Sequence, residues 1–249
     1  MNIIIAKTYE SMSQKAADLM SDEIRNKPDL LLCTATGATP TTAYDMSAAK
    51  KSEELNLFDK LRIIKLDEWG GLPMDDPATC EVFLKEHLID PLNISADRFI
   101  SWNSNPENPK KECRVMEKKL DKAGPIDLCI LGIGVNGHLG FNEPGSSMKP
   151  FAHVAKLTDS TKHHTMAQKA KGTIKYGLTL GMVNIMQSRK IILVLNGLPK
   201  QEIFKKFLIG KITTRLPASL LWMHSDLTVI CDEEAIIKMP KVNAEIVNL

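Results

Sequence analysis

The chain has 249 residues, 43% hydrophobic and 25% charged, with a formal net charge of +2. That is the composition of a globular domain, and it excludes a disordered or fibrous chain. So small a net charge predicts no nucleic-acid partner, and with no apolar run near the length of a membrane span no membrane partner is expected either.

The five cysteines, Cys33, Cys80, Cys113, Cys129 and Cys231, are odd in number and lack C-x-x-C or Cys/His spacing. They predict free thiols in a reducing, cytoplasmic compartment and no metal site. The N-terminal apolar run is too short for a signal peptide and has no basic region before it. No linker divides the chain, so residues 1–249 are expected to form a single domain.

In chain order, Ile3 to Ile5 predict a short strand, and Met12, Ala16, Leu19, Met20 and Ile24 predict a one-sided helix from about Ser11 to Ile24. Leu30 to Cys33 is an unbroken apolar run of the buried parallel type and leads into T-A-T-G-A-T-P-T, Thr34 to Thr41. Thr39 fits an N-cap and Pro40 the first helical position, so unsatisfied N–H groups would face a strand end. Thr36 and Thr39 add hydroxyl donors, and Gly37 allows a phosphate to approach the backbone. A capped helix without a ligand fits the same spacing.

Leu61 to Trp69 predicts one strand ending in Asp67 and Glu68, which strand alternation sends to opposite sides. A helix is expected from about Thr79 to Leu88, a mostly irregular stretch through Trp102 to Pro109, and a helix from about Lys111 to Lys122. The apolar run Ile126 to Leu131 then enters the glycine-dense loop G-I-G-V-N-G-H-L-G-F-N-E-P, where Asn136, His138 and Glu143 lie close together. Strand ends are where α/β folds place chemistry, and a proton-shuttling His needs a carboxylate to orient and charge-stabilise it.

From Phe151 to Tyr176 the chain is polar and basic, with His153, Lys162, His163, His164, Lys169 and Lys171. It fits either a lid over the site or an exposed connection. Lys190 to Asn196 predicts another buried strand, followed by Lys200 at a helix start, where a cation opposes the helix dipole and therefore suggests a functional reason. A buried helix opened by Pro217 and a last clear strand, Leu227 to Cys231, follow, with His224 read as structural. The alternation predicts an α/β architecture with a mainly parallel sheet covered on both faces.

The string G-x-x-G-H-x-x-F-N-E-P (Gly134 to Pro144) resembles the motif of the glucosamine-6-phosphate deaminase (isomerase) family, as do T-G-x-T-P (Thr36 to Pro40), D-E followed by an aromatic (Asp67 to Trp69) and G-x-x-K (Gly197 to Lys200). Four separated motifs in the right order make the resemblance specific across nearly the whole chain. It implies a modified Rossmann-like three-layer α/β/α sandwich, shared with 6-phosphogluconolactonases, and no cofactor. It implies catalysis by Asp67, Asn136, His138 and Glu143, with Asp67 as the enolisation base, and substrate or phosphate contacts from Thr36, Gly37, Ala38, Thr39, Gly137 and Lys200. The partner would be a small amino-sugar phosphate; oligomeric state varies in the family, which leaves a homo-oligomer open.

The chain departs from the pattern in three places. The family's lid, here at about residues 151–176, holds the phosphate with an arginine, and none occurs between Phe151 and Tyr176; a lysine or His164 remains for that role. Glucosamine-6-phosphate deaminases usually read G-x-D-G-H, whereas Asn136 is neutral; V-N-G-H-L-G-F-N-E-P-G and T-R-L-P-A-S-L-L-W-M-H-S are more similar to the galactosamine-6-phosphate deaminase/isomerase subgroup. The expected reaction is therefore D-galactosamine 6-phosphate to D-tagatose 6-phosphate plus ammonia, with glucosamine 6-phosphate to fructose 6-phosphate as the alternative. His153 and Ala155, together with a tail Met239 to Leu249 lacking tyrosine, predict no activation by N-acetylglucosamine 6-phosphate. A 6-phosphogluconolactonase would read D-E-R where Trp69 stands and lack F-N-E-P. A non-catalytic sugar-phosphate sensor would be expected to carry a DNA-binding extension ahead of the first strand.

Overall fold

In the computed structural model, which describes residues 1–162, 164–236 and 244–249, two sheets of different character meet at the Asp67 segment. The strands are β1 (Asn2–Ala6), β2 (Leu31–Thr34), β3 (Arg62–Lys65), β4 (Asp67–Gly70), β5 (Phe99–Ile100), β6 (Leu128–Gly132), β7 (His153–Ala155), β8 (Tyr176–Thr179), β9 (Lys190–Leu195), β10 (Leu227–Asp232) and β11 (Glu245–Asn248). The helices are α1 (Tyr9–Asn26), α2 (Ala38–Ala49), α3 (Cys80–Leu84), α4 (Pro109–Ala123), α5 (Asp159–Lys162), α6 (Met182–Met186) and α7 (Gln201–Leu208).

The larger sheet has eight strands in the order β11-β1-β10-β9-β6-β2-β3-β5, every pair parallel. Parallel pairing requires crossovers, and the helices supply them, covering both faces. Alternation divides the core accordingly. Leu31 and Cys33 pack on one face, while Leu32 packs on the other. This is the three-layer Rossmann-like sandwich expected from the sequence. β6 lies between β2 and β9, so the loops leaving their carboxyl ends converge at one edge, where open α/β sheets bind ligands.

The predicted strand from Leu61 to Trp69 is broken at Leu66. Leu66 N–H still bonds Thr34 O at 3.2 Å, but Asp67 leaves the large sheet and pairs with Thr179 in a small antiparallel sheet ordered β4-β8-β7. Periodicity could not reveal this, because buried charged residues, Lys65 in the first half and Asp67 and Glu68 in the second, interrupt the pattern on both sides of Leu66 and nothing local marks the break. Of the two readings of residues 151–176, a lid or an exposed connection, the same sheet speaks against the second. β7 and the start of β8 anchor its ends, and Ala155, Leu157, Met166 and Ala167 are buried with Trp69 and Phe141 in a core of their own. His163 lies outside the described residues, as do residues 239–243 of the tail.

The capping of α2 also differs from expectation. Gly37, at φ +115°, is the N-cap, and Thr39 falls inside the first turn, where its hydroxyl donates to Asn196 Oδ1 at 2.7 Å. Positive φ favours glycine there, and the helix starts two residues earlier than a Thr39 cap would require. The Pro217–Met223 segment is a 3-10 helix rather than an α-helix. His224 is structural as read: buried, with Nε2 on Ser188 O at 2.8 Å and Nδ1 accepting from Asp226 N–H. All five cysteines are free and buried, and among the described residues no helix is long and apolar enough to cross a membrane.

Candidate active site

Three loops at the carboxyl edge of the large sheet and the sheet junction carry the candidate residues. The His138 loop leaves β6 through Gly132. Gly134 N–H bonds His138 O at 3.0 Å and Gly137 N–H bonds Gly134 O at 2.8 Å, which closes a tight turn. The imidazole lies against Gly134 so closely that a Cβ there would come within 2.4 Å of Nε2, so alanine would displace the ring. Gly137, at φ +89°, has no room for a side chain because Leu216 would lie 2.3 Å away; its N–H serves the turn and its carbonyl accepts from Ala218 N–H.

Within this loop Glu143 is surrounded by donors. Its Oε2 accepts from Asn136 Nδ2 at 2.8 Å and lies 3.3 Å from His138 Nδ1, while Oε1 accepts from Thr161 Oγ1 at 2.5 Å. Asn136 Oδ1 in turn accepts from the backbone N–H of His138 at 3.1 Å. Burial by itself would raise the Glu143 carboxyl, but His138, Thr161 and Asn136 outweigh it and hold the carboxyl at about 2. Thr161 and Thr158, from the segment between β7 and β8, thus grip the carboxylate that faces the imidazole.

Asp67 occupies the opposite kind of environment. Burial, then the charge of neighbouring Glu68, push its carboxyl up to about 7, against the opposing effects of Cys80 and Lys65. Cys80 Sγ is 3.7 Å from Asp67 Oδ1, and a Cβ on Gly140 of the His138 loop would lie 3.4 Å from Asp67 Oδ2. Glu68 turns the other way, as strand alternation predicts. It accepts from Lys65 Nζ at 2.6 Å and from the backbone N–H groups of Trp69, Cys80 and Glu81, fixing the start of α3 beneath the base. Lys65 also reaches Glu81 at 3.0 Å, and Lys65 and Glu68 are fully buried.

The Thr36–Thr39 loop follows β2 on one side of β6, and Lys200 follows β9 on the other. Thr36 Oγ1 donates to Cys80 Sγ at 3.1 Å, and Tyr9 Oη donates to Ala38 O at 2.7 Å. Lys200 Nζ donates to Ile133 O at 2.6 Å, which brings the ammonium to the base of the His138 loop, where burial lowers its pKa. His164 stands over Gly37: a Cβ there would lie 3.5 Å from Cε1 and 3.7 Å from Nε2. Its Nδ1 accepts from Met166 N–H at 3.3 Å, so Nε2 carries the proton of the neutral ring. Burial, then the charges of Lys200 and His138, hold that ring below the usual histidine range.

The structure therefore brings Asp67, Asn136, His138 and Glu143 to one edge of the sheet, between Thr36–Thr39 and Lys200. Sequence reasoning missed Cys80, Thr161 and Thr158. No motif spacing marks them, and only folding places their hydroxyl and thiol groups against the two carboxylates. Among the described residues no cluster of His, Cys, Asp and Glu could hold a metal ion.

A parallel sheet whose edge loops present two carboxylates, an imidazole and a lysine defines an α/β protein with several ionisable groups gathered at one edge. Residues 6–230 match the family model described as glucosamine-6-phosphate isomerases/6-phosphogluconolactonase, and the chain belongs to that family. It is similar to "Putative deaminase AgaI" of Escherichia coli K12, 39% identical over 88% of this chain and 87% of that protein. It is also similar to the glucosamine-6-phosphate deaminase of Thermoanaerobacter sp. X514, 37% identical over 96% of each. A solved monomeric glucosamine-6-phosphate deaminase of the NagB superfamily superposes with a TM-score of 0.90 at 36% identity, covering 94% of this chain and 98% of that one. The 6-phosphogluconolactonase of Trypanosoma brucei shares the fold, with a TM-score of 0.73 at 20% identity over 94% and 97%.

Proposed function

We propose that this protein is an amino-sugar-phosphate deaminase that converts D-galactosamine 6-phosphate to D-tagatose 6-phosphate and ammonia. The observation that carries the reading is Asp67: a buried carboxyl held near 7 beside the His138–Glu143 pair, in a chain whose relatives at 36–39% identity include named deaminases. A carboxylate near 7 can both take and return a proton at neutral pH, which aldose-to-ketose isomerisation requires.

The phosphate is held by the backbone of Gly37 to Thr39, with Thr36, and by Lys200, which leaves the sugar ring over β6. His164 supplies the lid contact to the phosphate, because its Nε2 faces the Gly37 turn. Residues 156–175, tied at both ends by β7 and β8, form the lid. Phosphate binding then places C1 and C2 against the two proton-transfer groups.

His138, oriented through Nδ1 by Glu143, moves a proton between the anomeric hydroxyl and the ring oxygen, opening the pyranose. Asp67 removes the C2 proton and delivers it to C1 through an enolamine. The resulting C2 imine adds water and expels ammonia, leaving the ketose. Asn136 supports this by donating to Glu143, but being neutral it stabilises an imidazolium less than an aspartate would.

The galacto reading rests on Asn136 and on the Thr214–Ser225 string; the gluco alternative is supported by relatives named glucosamine-6-phosphate deaminase. Ammonia release is measured from both sugars, with Asp67→Asn as control. Faster release from the galacto sugar, abolished in the variant, is expected. Faster release from the gluco sugar overturns the sugar assignment, and release from neither overturns the reaction.

A further inference from the structure

Cys80 stands between the base and the phosphate loop, and the reaction as derived leaves it without a task. It is 1% exposed, its Sγ accepts from Thr36 Oγ1 at 3.1 Å, and it lies 3.7 Å from Asp67 Oδ1. Its backbone N–H is held at 2.8 Å by Glu68 Oε1, the carboxylate that also binds Lys65, which fixes the main chain that carries the thiol. Burial, then the charges of Glu68 and Asp67, push the thiol well above its usual range. It stays protonated and is therefore the donor toward Asp67.

We infer that Cys80 is a positioning residue whose S–H orients the Asp67 carboxylate and links it, through the Thr36 hydroxyl, to the loop that would hold the phosphate. The link has a direction. When Thr36 turns its hydroxyl toward an anion, the thiol loses its own donor, and its bond to Asp67 is the contact left to it.

The other groups facing Asp67 do not change charge with it. Burial works against the Lys65 ammonium, but the charges of Glu68 and Glu81 outweigh it and keep it protonated, and Glu68 is bound to that lysine. Cys33 of β2 and Tyr44 of α2 are both pushed up by burial and stay neutral. With these charges fixed, comparing Cys80→Ala with Cys80→Ser separates the thiol's effect on Asp67 from the burial and the Glu68 charge that raise it.

What Asp67 does chemically rests on the reaction proposed above, but its titration can be read in the free protein without substrate. Carbon-13 NMR of aspartate-labelled protein, assigned with Asp67→Asn, follows the carboxyl in wild type, Cys80→Ala and Cys80→Ser. Removing the donor is expected to raise the Asp67 midpoint by about one pH unit, and serine to restore most of it. In the rate profile, kcat/KM of Cys80→Ala should fall about tenfold at pH 6 and less than twofold at pH 9, because one pH unit is a factor of ten in ionisation. If the alanine cavity unfolds the protein, Cys80→Val keeps the volume without a donor and gives the same comparison. An unmoved Asp67 midpoint in the alanine or valine variant overturns the inference, as does serine behaving like alanine. A wild-type protein that deaminates neither sugar, yet shows the shifted midpoint, overturns the reaction and leaves the role of Cys80 standing.

Discussion

Asp67 and Glu143 are both carboxylates withdrawn from solvent at the same edge of the sheet, yet one sits at about 7 and the other at about 2. Burial opposes ionisation in both. Glu143 wins back its charge because Asn136, Thr161 and His138 all point hydrogen-bond donors or positive charge at it. Asp67 does not, because Glu68 and Glu81 share Lys65 and Glu68 takes three backbone N–H groups, leaving Asp67 a weak thiol donor. The lesson is that a site can set one acid as a fixed charge and another as a working base by distributing donors unequally.

The largest effect expected from breaking this contrast is on rate. Asp67→Asn, which cannot accept the C2 proton, should lower kcat for ammonia release about 10³-fold with the fold intact, checked by steady-state assay and circular dichroism. Retention of solvent-deuterium exchange at C2 in that variant would count against Asp67 as the carbon base.

Next comes the pair that keeps donors away from Asp67. Glu68→Gln leaves Lys65 buried with reduced compensation and should cost about 3 kcal/mol of stability in denaturant titration. A loss below about 0.5 kcal/mol would mean that the pair is not buried in solution.

Glu143→Gln should reduce kcat about tenfold, less than loss of the base, because His138 remains but loses its charge partner. The pH dependence of stability supplies a second check. A carboxyl held near 2 in the folded protein stabilises it above the ordinary carboxylate range, and this contribution is lost as pH falls from about 4.5 toward about 2. The glutamine variant should therefore show a shallower acid limb in melting temperature than wild type.

The last effect carries the opposite sign. A carboxyl raised to about 7 favours the folded state while protonated, so its contribution is present below the ordinary range of 3.8 and is lost as pH rises through 7. Asp67→Asn should consequently melt higher than wild type at pH 8 and no higher at pH 4. Equal melting temperatures at both would show that Asp67 titrates normally.

Much of this was legible before any coordinates. The buried strands at Leu30 to Cys33, Ile126 to Leu131 and Lys190 to Asn196 read as such because parallel strands covered on both faces are continuous apolar runs. The glycine-dense loop after Ile126 to Leu131 located His138, and alternation put Asp67 and Glu68 on opposite sides, while only the family resemblance marked Asp67 as the candidate base. The break at Leu66 was not legible, since no glycine, proline or change of period marks it and only pairing with Thr179 sends Asp67 into the second sheet. Nor was the Thr161 grip on Glu143, or the thiol of Cys80 against Asp67, because contacts between segments far apart in the chain leave no local spacing.

What the sequence by itself determined is which loops follow which strands and which residue types they carry, since backbone preference and hydrophobic period act over a few neighbouring residues. What tertiary structure decided is the chemistry of those residues. Whether a carboxyl is a base near 7 or a fixed charge near 2 depends on how much water is excluded around it and where the nearest donors point, and both are set by groups brought in from other strands.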